Sequence, residues 1–269
     1  EATRLLPTFS SPLGRGVPMR DEAKFAWSRR TANAAPKATV ARIGEVLADA
    51  AAAPVRLMVP VDLRRHDPAI RSTANLALPL FLTARPGQDW SQINAQMLMG
   101  LVEKRELGEM DNGGLGKFPA PVTRGVLRAL HTVGARGGRN LVSAIVSHAG
   151  TIELADFTAP GFTASTVRAL PVHTGMVPLS FVAVEVDGRT EITVSCRTGR
   201  GIAARLDALL DRVVAALESP AGPAGAQSTA SHSRTDTVAS LFAAQVAARP
   251  DALAVSTPDE KFTYAELDS

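Results

Sequence analysis

The sequence predicts a mixed α/β fold in which a layer of helices packs against a sheet. Residues 55–61 and 75–82 place an apolar side chain at every second position, which is the pattern of a half-buried strand. Residues 201–217 instead space their apolar side chains for one face of a helix. Patterns of the two kinds alternate along the chain and no internal repeat is present, so we expect a two-layer structure.

The first half of the chain adds two predicted helices to these strands. Residues 38–52 carry apolar side chains on one helical face and lead directly into the first strand. We expect Pro60 to limit the far end of that strand, because proline has no N–H to give to a sheet ladder. After the second strand, Asp89 is a predicted N-cap for a helix.

A third helix is predicted between two glycine-rich stretches. The helical pattern covers residues 121–133, and the glycine-rich stretches are residues 111–116 and residues 134–139. We interpret both stretches as loops, because glycine destabilises regular structure. Residues 141–147 then form an apolar run that predicts a buried strand.

A β-hairpin followed by a helix closes this region. Residues 179–186 and 189–196 have strand-like patterns, and they flank the dipeptide Asp187-Gly188. This dipeptide favours a two-residue type I′ turn, in which both positions have positive φ. We expect the helix at 201–217 to pack back on the sheet.

Composition excludes several classes of protein. Aromatic residues are 4% of the 269 residues, which argues against a base-stacking surface for nucleic acid. The formal net charge is +3 and no basic run is present, so no nucleic-acid footprint is predicted. The single Cys196 excludes an internal disulfide and an all-cysteine zinc site. No apolar run is long enough to span a membrane, so we expect a soluble, cytoplasmic protein.

The chain is predicted to contain a linker near its C-terminus. Residues 219–235 contain no Val, Ile, Leu, Met or aromatic residue and therefore cannot bury apolar surface. They divide a body, residues 1–218, from a tail, residues 236–269, that is too short for an independent core. Because the sequence begins with Glu1 rather than Met, we expect it to be a piece of a longer protein.

One glycine-rich stretch, residues 111–116, partly resembles a phosphate-binding loop. A Walker loop needs Gly, four residues, and then Gly-Lys-Ser/Thr at the start of a helix. Here Asp111 occupies the first glycine position and Phe118 follows Lys117. We therefore predict no nucleotide site there. No histidine pair has the spacing of zinc ligands, so no metal site is predicted either.

Two polar segments at strand ends are candidate sites. Ser147 and His148 come at the end of the apolar run and precede Gly150. They either line a cleft or satisfy backbone groups at a turn. Residues 64–66, Arg-Arg-His, follow the strand at 55–61, where they either meet an anionic group or lie in solvent.

The tail resembles the opening of an adenylation domain of nonribosomal peptide synthetases. LFAAQVAARPDA at 241–252, Ala254-Val255 and FTYAEL at 262–267 match in order the family's LF..Q....PD..AV and LTYAEL. The resemblance implies activation of an amino or aryl acid with ATP and magnesium. The family's phosphate loop, substrate pocket and catalytic lysine would lie beyond Ser269.

The body resembles the C-terminal lobe of a condensation domain, a family with a fold like chloramphenicol acetyltransferase. IRSTAN at 70–75 with LPL at 78–80 is similar to the family's IGxFVNTLPL, although Arg and Thr replace its Gly and Phe. VPVDLR at 59–64 looks like the preceding strand, and VSHAG at 146–150 looks like VSNxG with His148 in place of Asn. The resemblance covers residues 38–218 and leaves residues 1–37 unplaced.

The resemblance implies amide or ester bond formation between carrier-tethered acyl substrates. It implies a tunnel for phosphopantetheine arms that is lined by Asn75, Ser147, His148 and Gly150. The implied partners are the N-terminal condensation lobe, the adenylation domain and a carrier protein, with no nucleic acid, membrane or metal.

The family's catalytic HHxxxDG motif lies in its N-terminal lobe, and no His-His pair exists in this sequence. We therefore expect no catalytic residue in this chain and no activity from it alone. Two alternatives remain open. One is a degenerate lobe that serves as a docking platform for the adenylation domain or a carrier protein. The other is a stand-alone acyltransferase, against which the adenylation-like tail counts.

Overall fold

A computed structural model describes ten segments of the chain, which are residues 9–14, 25–67, 69–72, 74–111, 119–136, 139–171, 177–197, 201–219, 246–256 and 261–267. The chain separates into two compact units, residues 1–222 and residues 223–269. The assignment of these units to a condensation lobe and an adenylation domain stays a prediction, and the predicted linker from residue 220 onward lies outside the described residues.

A six-stranded mixed sheet is the centre of the first unit. Its strands are β2 (Phe25–Ala32), β3 (Val55–Asp62), β4 (Ala77–Ala84), β6 (Ala144–Thr151), β7 (Leu179–Val186) and β8 (Arg189–Arg197). They lie in the order β2-β8-β7-β6-β3-β4. The pairs β3–β6 and β6–β7 are parallel, and the other pairs are antiparallel. A short ladder joins β1 (Phe9–Ser10) to β5 (Arg139–Asn140).

Helices cover one face of the sheet, so the predicted mixed α/β layer structure is confirmed. The helices of this unit are α1 (Thr39–Ala51), α2 (Trp90–Val102), α3 (Arg105–Asp111), α4 (Ala120–Arg136) and α5 (Ile202–Glu218), and the core lies between the sheet and α1, α2 and α5. Alternate residues of the central strands point to the helix-covered face and form one core with α1, α2 and α5. We call this the helix side, and the opposite side the open face.

The buried carboxylate of Glu191 lies on the open face. It is 3% exposed and accepts hydrogen bonds from Thr31 (2.8 Å), Thr166 (2.8 Å) and Arg168 Nε (2.9 Å). Burial raises its pKa, but these three donors outweigh burial and hold the pKa below the ordinary value. Glu191 therefore fixes the connection between β6 and β7 across this face.

The local predictions made around turns and caps are confirmed. Asp187 and Gly188 have φ of 48° and 71°, as a type I′ turn requires. Asp89 caps α2 by accepting a hydrogen bond from the Ser91 N–H at 2.7 Å.

Three predicted boundaries are wrong. The strand predicted at 75–82 spans Ala77–Ala84, and the strand predicted at 141–147 spans Ala144–Thr151. The loop predicted at 134–139 is helical as far as Arg136, because α4 continues through Gly134. Within the loop predicted at 111–116, Asp111 ends α3 and the remaining residues lie outside the described residues.

Pro60 does not end its strand, contrary to the prediction. It lies opposite Pro79 in the β3–β4 ladder. The Leu63 N–H donates to Leu76 O at 2.8 Å, and hydrogen-bonded pairs alternate with non-hydrogen-bonded pairs in antiparallel strands. The Pro60–Pro79 pair is therefore non-hydrogen-bonded, so neither proline removes a bond from this ladder.

The second unit contains a two-stranded antiparallel sheet and a short helix. Strand β9 (Leu253–Ser256) pairs with β10 (Lys261–Thr263), and the helix spans Tyr264–Leu267. The Thr263 N–H donates to Glu266 Oε2 at 2.8 Å, and the Glu266 N–H reaches Thr263 Oγ1 at 3.3 Å. This reciprocal capping box explains why the FTYAEL segment begins a helix. Within the described residues, no helix has the length and apolar character needed to cross a membrane.

Candidate functional site

A cleft of about 380 Å³ opens on the helix side where the parallel strands β3, β6 and β7 end. The carboxyl ends of parallel strands meet at one edge, and this arrangement commonly forms a ligand crevice in α/β proteins. The cleft is lined by the ends of β3, β6 and β7, by Leu80 of β4, by the beginning of α1 and by the end of α2. Its polar lining residues are Lys37, Thr39, Arg65, His148 and Glu185.

His148 and Glu185 form a hydrogen-bonded pair in the wall of the cleft. His148 Nε2 lies 3.0 Å from Glu185 Oε1. The Gly150 N–H donates to His148 Nδ1 at 3.3 Å, so Nδ1 must carry a lone pair and Nε2 must carry the proton. Thr151 Oγ1 donates to the other oxygen of Glu185 at 3.1 Å. The imidazole is therefore oriented at both of its nitrogens.

Arg65 reaches the cleft from the turn that follows β3. Its Nη1 donates to Glu106 Oε1 at 2.8 Å and to Leu101 O at 3.3 Å. His66 Nε2 lies 3.0 Å from the same Glu106 oxygen. The side chain of Glu106 is 0% exposed, so a buried carboxylate holds both residues in place.

Glu106 is stabilised as an anion in spite of its burial. Burial raises the pKa of this carboxyl, but hydrogen bonds from its own backbone N–H, His66 and Arg65 outweigh burial. The net result is a pKa below the ordinary value for glutamate. Of the two interpretations of residues 64–66, the structure favours contact with an anionic group. The anionic groups are carboxylates of the chain itself. Arg65 contacts Glu106, and Arg64 pairs with Asp62 at 3.0 Å.

The remaining wall of the cleft is apolar. Leu80 and Val59 come from the sheet, and Met97 and Leu101 come from α2. Gly100 permits this close packing, since a Cβ at that position would lie 3.0 Å from Leu80 Cδ1. The cleft therefore combines an aliphatic wall with a polar rim, which is the usual composition of a small-molecule site.

The structure brings only part of the predicted site together. His148 lines the cleft, and Gly150 lies at the turn beside it with φ of 78°. Ser147 points to the open face, because neighbouring residues of a strand alternate between faces. Asn75 is exposed and precedes β4.

Three acidic residues with structural importance were missed by sequence reasoning. Glu106, Glu185 and Glu191 each accept hydrogen bonds from residues far away in the sequence. Periodicity gave one usable signal, since Glu185 is the one charged residue in the largely apolar strand Leu179–Val186.

Both ring nitrogens of His148 are engaged, so the imidazole offers no free nitrogen to a substrate. Among the described residues, no group of three or more His, Cys, Asp or Glu side chains has the geometry to hold a metal ion.

The chain is similar to solved structures of nonribosomal peptide synthetases. The synthetase FmoA3 is 20% identical with a TM-score of 0.47, and the match covers 97% of this chain and 30% of that chain. The cyclization-docking bidomain of EpoB from Sorangium cellulosum is 15% identical with a TM-score of 0.41, over 80% of this chain and 46% of that one. The starter condensation domain of the rhizomide synthetase RzmA is 14% identical with a TM-score of 0.41, over 80% and 49%.

This chain therefore spans less than a third of the FmoA3 chain and about half of the other two. No protein-family model matches the sequence. No curated protein matches it either.

Proposed function

We propose that this chain is part of a nonribosomal peptide synthetase. Residues 1–218 are the C-terminal lobe of a condensation domain, and residues 236–269 are the start of an adenylation domain. Residues 219–235 link the two. In the complete protein this lobe forms one wall of the tunnel that admits phosphopantetheine-tethered acyl substrates.

The observation that carries the proposal is the placement of the three family-like segments of the body. VPVDLR at 59–64 ends β3, LPL at 78–80 lies in β4, and VSHAG at 146–150 lies in β6. These strands are neighbours in the order β6-β3-β4. Each of the three segments contributes a lining residue to the cleft. Segments that are distant in sequence thus border one site, as motifs that serve one function do.

The chain supplies a binding wall and no catalytic base. The sequence contains no His-His pair, and the one histidine in the cleft is held at both nitrogens. Bond formation between two carrier-tethered substrates therefore depends on an N-terminal lobe outside this chain. Asn75, Ser147, His148 and Gly150 stay proposed tunnel residues, and the position of His148 in the cleft supports its place among them. ATP and magnesium belong to the adenylation part alone.

A binding experiment with the pantetheine arm tests this function. The probe is butyryl-pantetheine, titrated into the 269-residue chain and followed by calorimetry. Met97 lines the cleft, whereas the next residue, Leu98, is 51% exposed on the outer side of α2. We expect Met97→Trp to fill the cleft and weaken binding at least about tenfold, or ~1.4 kcal/mol. The matched control Leu98→Trp should leave binding unchanged.

The same titration separates the docking-platform alternative. That alternative predicts binding of a carrier protein without its phosphopantetheine arm, and no binding of butyryl-pantetheine. Binding of the arm that is sensitive to Met97→Trp supports the tunnel wall. If neither butyryl-pantetheine nor the arm-free carrier binds, the proposed function is overturned.

A further inference from the structure

The two edges of the six-stranded sheet differ in how they meet solvent. At the β4 edge, residues 76, 78, 80, 82 and 84 direct their backbone groups to β3, as the Leu63–Leu76 hydrogen bond establishes. The nitrogen of Pro79 therefore faces outward and offers no N–H to another strand. Proline at an outward-facing edge position is a common defence against edge-to-edge pairing.

The same argument shows which backbone groups face outward at the β2 edge. In the two-residue hairpin, Val186 and Arg189 form the closing hydrogen-bonded pair, so alternate residues of β8 direct their backbone groups to β7. The other β8 residues, including Val194, face β2, and Val194 lies opposite Ser28. Ser28 therefore bonds to β8, whereas the backbone groups of Trp27, Arg29 and Thr31 point outward.

Within the described residues, this edge has neither a proline nor a bulge. Strand β2 has eight residues with neither proline nor register shift in its ladder to β8. Trp27 is 57% exposed on the open face, and Arg29 lies 6.0 Å from its ring centroid. The other arginine of the strand, Arg30, is held by Asp211 at 2.7 Å on the helix side. A long, regular strand with an exposed aromatic residue is a template for another strand.

We propose that β2 pairs with β2 of a second copy of this chain, so that the two sheets join edge to edge. The pairing is antiparallel about a two-fold axis at Ser28, and it leaves the helices of both copies on the same side. This inference is independent of the proposed function.

Two requirements favour this register. The outward backbone groups of the two copies must face one another, and like charges must not lie directly opposite. The outward backbone groups belong to odd-numbered residues, so odd residues of the two copies must face one another. A register centred on Ser28 places Trp27 opposite Arg29 of the second copy, twice, and a guanidinium over an indole ring is favourable. It also brings Ala26 to Arg30 of both copies into the ladder. A register centred on Arg29 would place two like charges directly opposite each other, which is destabilising.

Cross-linking at the two-fold axis tests the register. In a non-hydrogen-bonded pair the two Cα atoms are about 4.5 Å apart, within the range of a disulfide. We expect Ser28→Cys to give a disulfide-linked dimer when treated with diamide. Ala26→Cys is the matched control on the same face of the same strand. Its two cysteines would be offset by four residues, about 13 Å, so it should give no disulfide-linked dimer. Cys196 is buried and should not react.

Sedimentation of the chain over about 1 to about 100 µM tests the dimer itself, since an edge contact is small and the dimer should be weak. We expect a concentration-dependent shift from monomer to dimer. Trp27→Pro removes one outward N–H without removing a bond to β8, and it should give a monomer with an unchanged circular dichroism spectrum. A monomeric unmodified chain, or equal cross-linking of Ser28→Cys and Ala26→Cys, overturns the proposal. If β2 instead pairs with a strand of a different protein, the unmodified chain should be monomeric.

Discussion

Arg65 donates from Nη1 to Glu106 Oε1 at 2.8 Å, and this contact joins the cleft to a carboxylate that solvent does not reach. The arginine side chain is 39% exposed, whereas the glutamate side chain is 0% exposed. The pair connects the turn after β3 to the beginning of α3. It therefore positions one wall of the candidate site and contributes to stability at the same time.

Replacing Glu106 with Gln should destabilise the fold. The substitution keeps the size of the side chain but removes the charge that Arg65 and His66 contact. Hydrogen bonds to charged groups contribute about 2 kcal/mol each, and part of this is retained by the amide, so we expect a loss of about 2 kcal/mol at neutral pH. Urea unfolding at pH 7 measures it. Glu103→Gln, at a 45% exposed partner of Arg105, is the control and should change stability little.

The effect of Glu106→Gln should depend on pH in a defined direction. The pKa of Glu106 is lowered in the folded chain, so its contribution is complete above the unfolded value of about 4.3. That contribution is lost as the pH falls through the folded pKa. The difference between the two proteins should therefore shrink as the pH is lowered through the range below about 4.3. An unchanged difference across this range would contradict the assignment of Glu106 as a stabilised anion.

Two helical glycines should respond to alanine with opposite signs. A Cβ at Gly44 would lie 2.8 Å from Leu57 Cδ1 and 3.7 Å from Ile93 Cγ2, whereas a Cβ at Gly125 would meet nothing within 4 Å. We expect Gly44→Ala to cost about 1–3 kcal/mol through overpacking. Gly125→Ala should stabilise by up to about 1 kcal/mol, because alanine has the higher helix propensity. Equal effects in urea unfolding would show that Gly44 of α1 is not in close contact with Leu57 of β3.

The elements that sequence reasoning located best are those fixed by local chemistry. The Asp187-Gly188 turn needs two residues that tolerate positive φ, and the side chain of Asp89 satisfies an N–H two residues away. Both features involve adjacent residues, so the sequence is sufficient to predict them. The helix predicted at 201–217 is found at Ile202–Glu218 for the same reason, because its apolar spacing is local.

The features that sequence reasoning missed depend on pairing between distant segments. Pro60 was expected to limit β3, and only its register with Pro79 shows that no ladder bond is lost there. The alternation of the strand sends Ser147 and His148 to opposite faces, and of the two only His148 lines the cleft. Glu185, which orients His148, is 37 residues away in sequence. Neither residue type nor spacing could have indicated that pair.

In its neutral form, the imidazole of His148 should carry its proton on Nε2. The Gly150 N–H needs an acceptor at Nδ1, and Glu185 needs a donor at Nε2. Nitrogen-15 NMR of the ring at neutral pH distinguishes the two tautomers, and His148→Asn identifies the signal. Glu185→Gln removes the charge of the acceptor and should alter this signal more than those of the other four histidines. A proton found on Nδ1 would mean that Gly150 does not hold the ring.

Cys196 should be silent to thiol reagents in the folded chain. It is 1% exposed in the core beneath the helices, and burial raises its pKa to about 11. The thiolate is the reacting species, and both its scarcity at pH 8 and its inaccessibility slow the reaction. Because this is the only cysteine, reaction with an aromatic disulfide reagent reports unfolding of β8 alone. We expect no reaction in native buffer and one thiol per chain in urea. If Cys196 reacts faster in the Gly44→Ala variant than in the Gly125→Ala variant, its exposure depends on the packing of α1 on the same core.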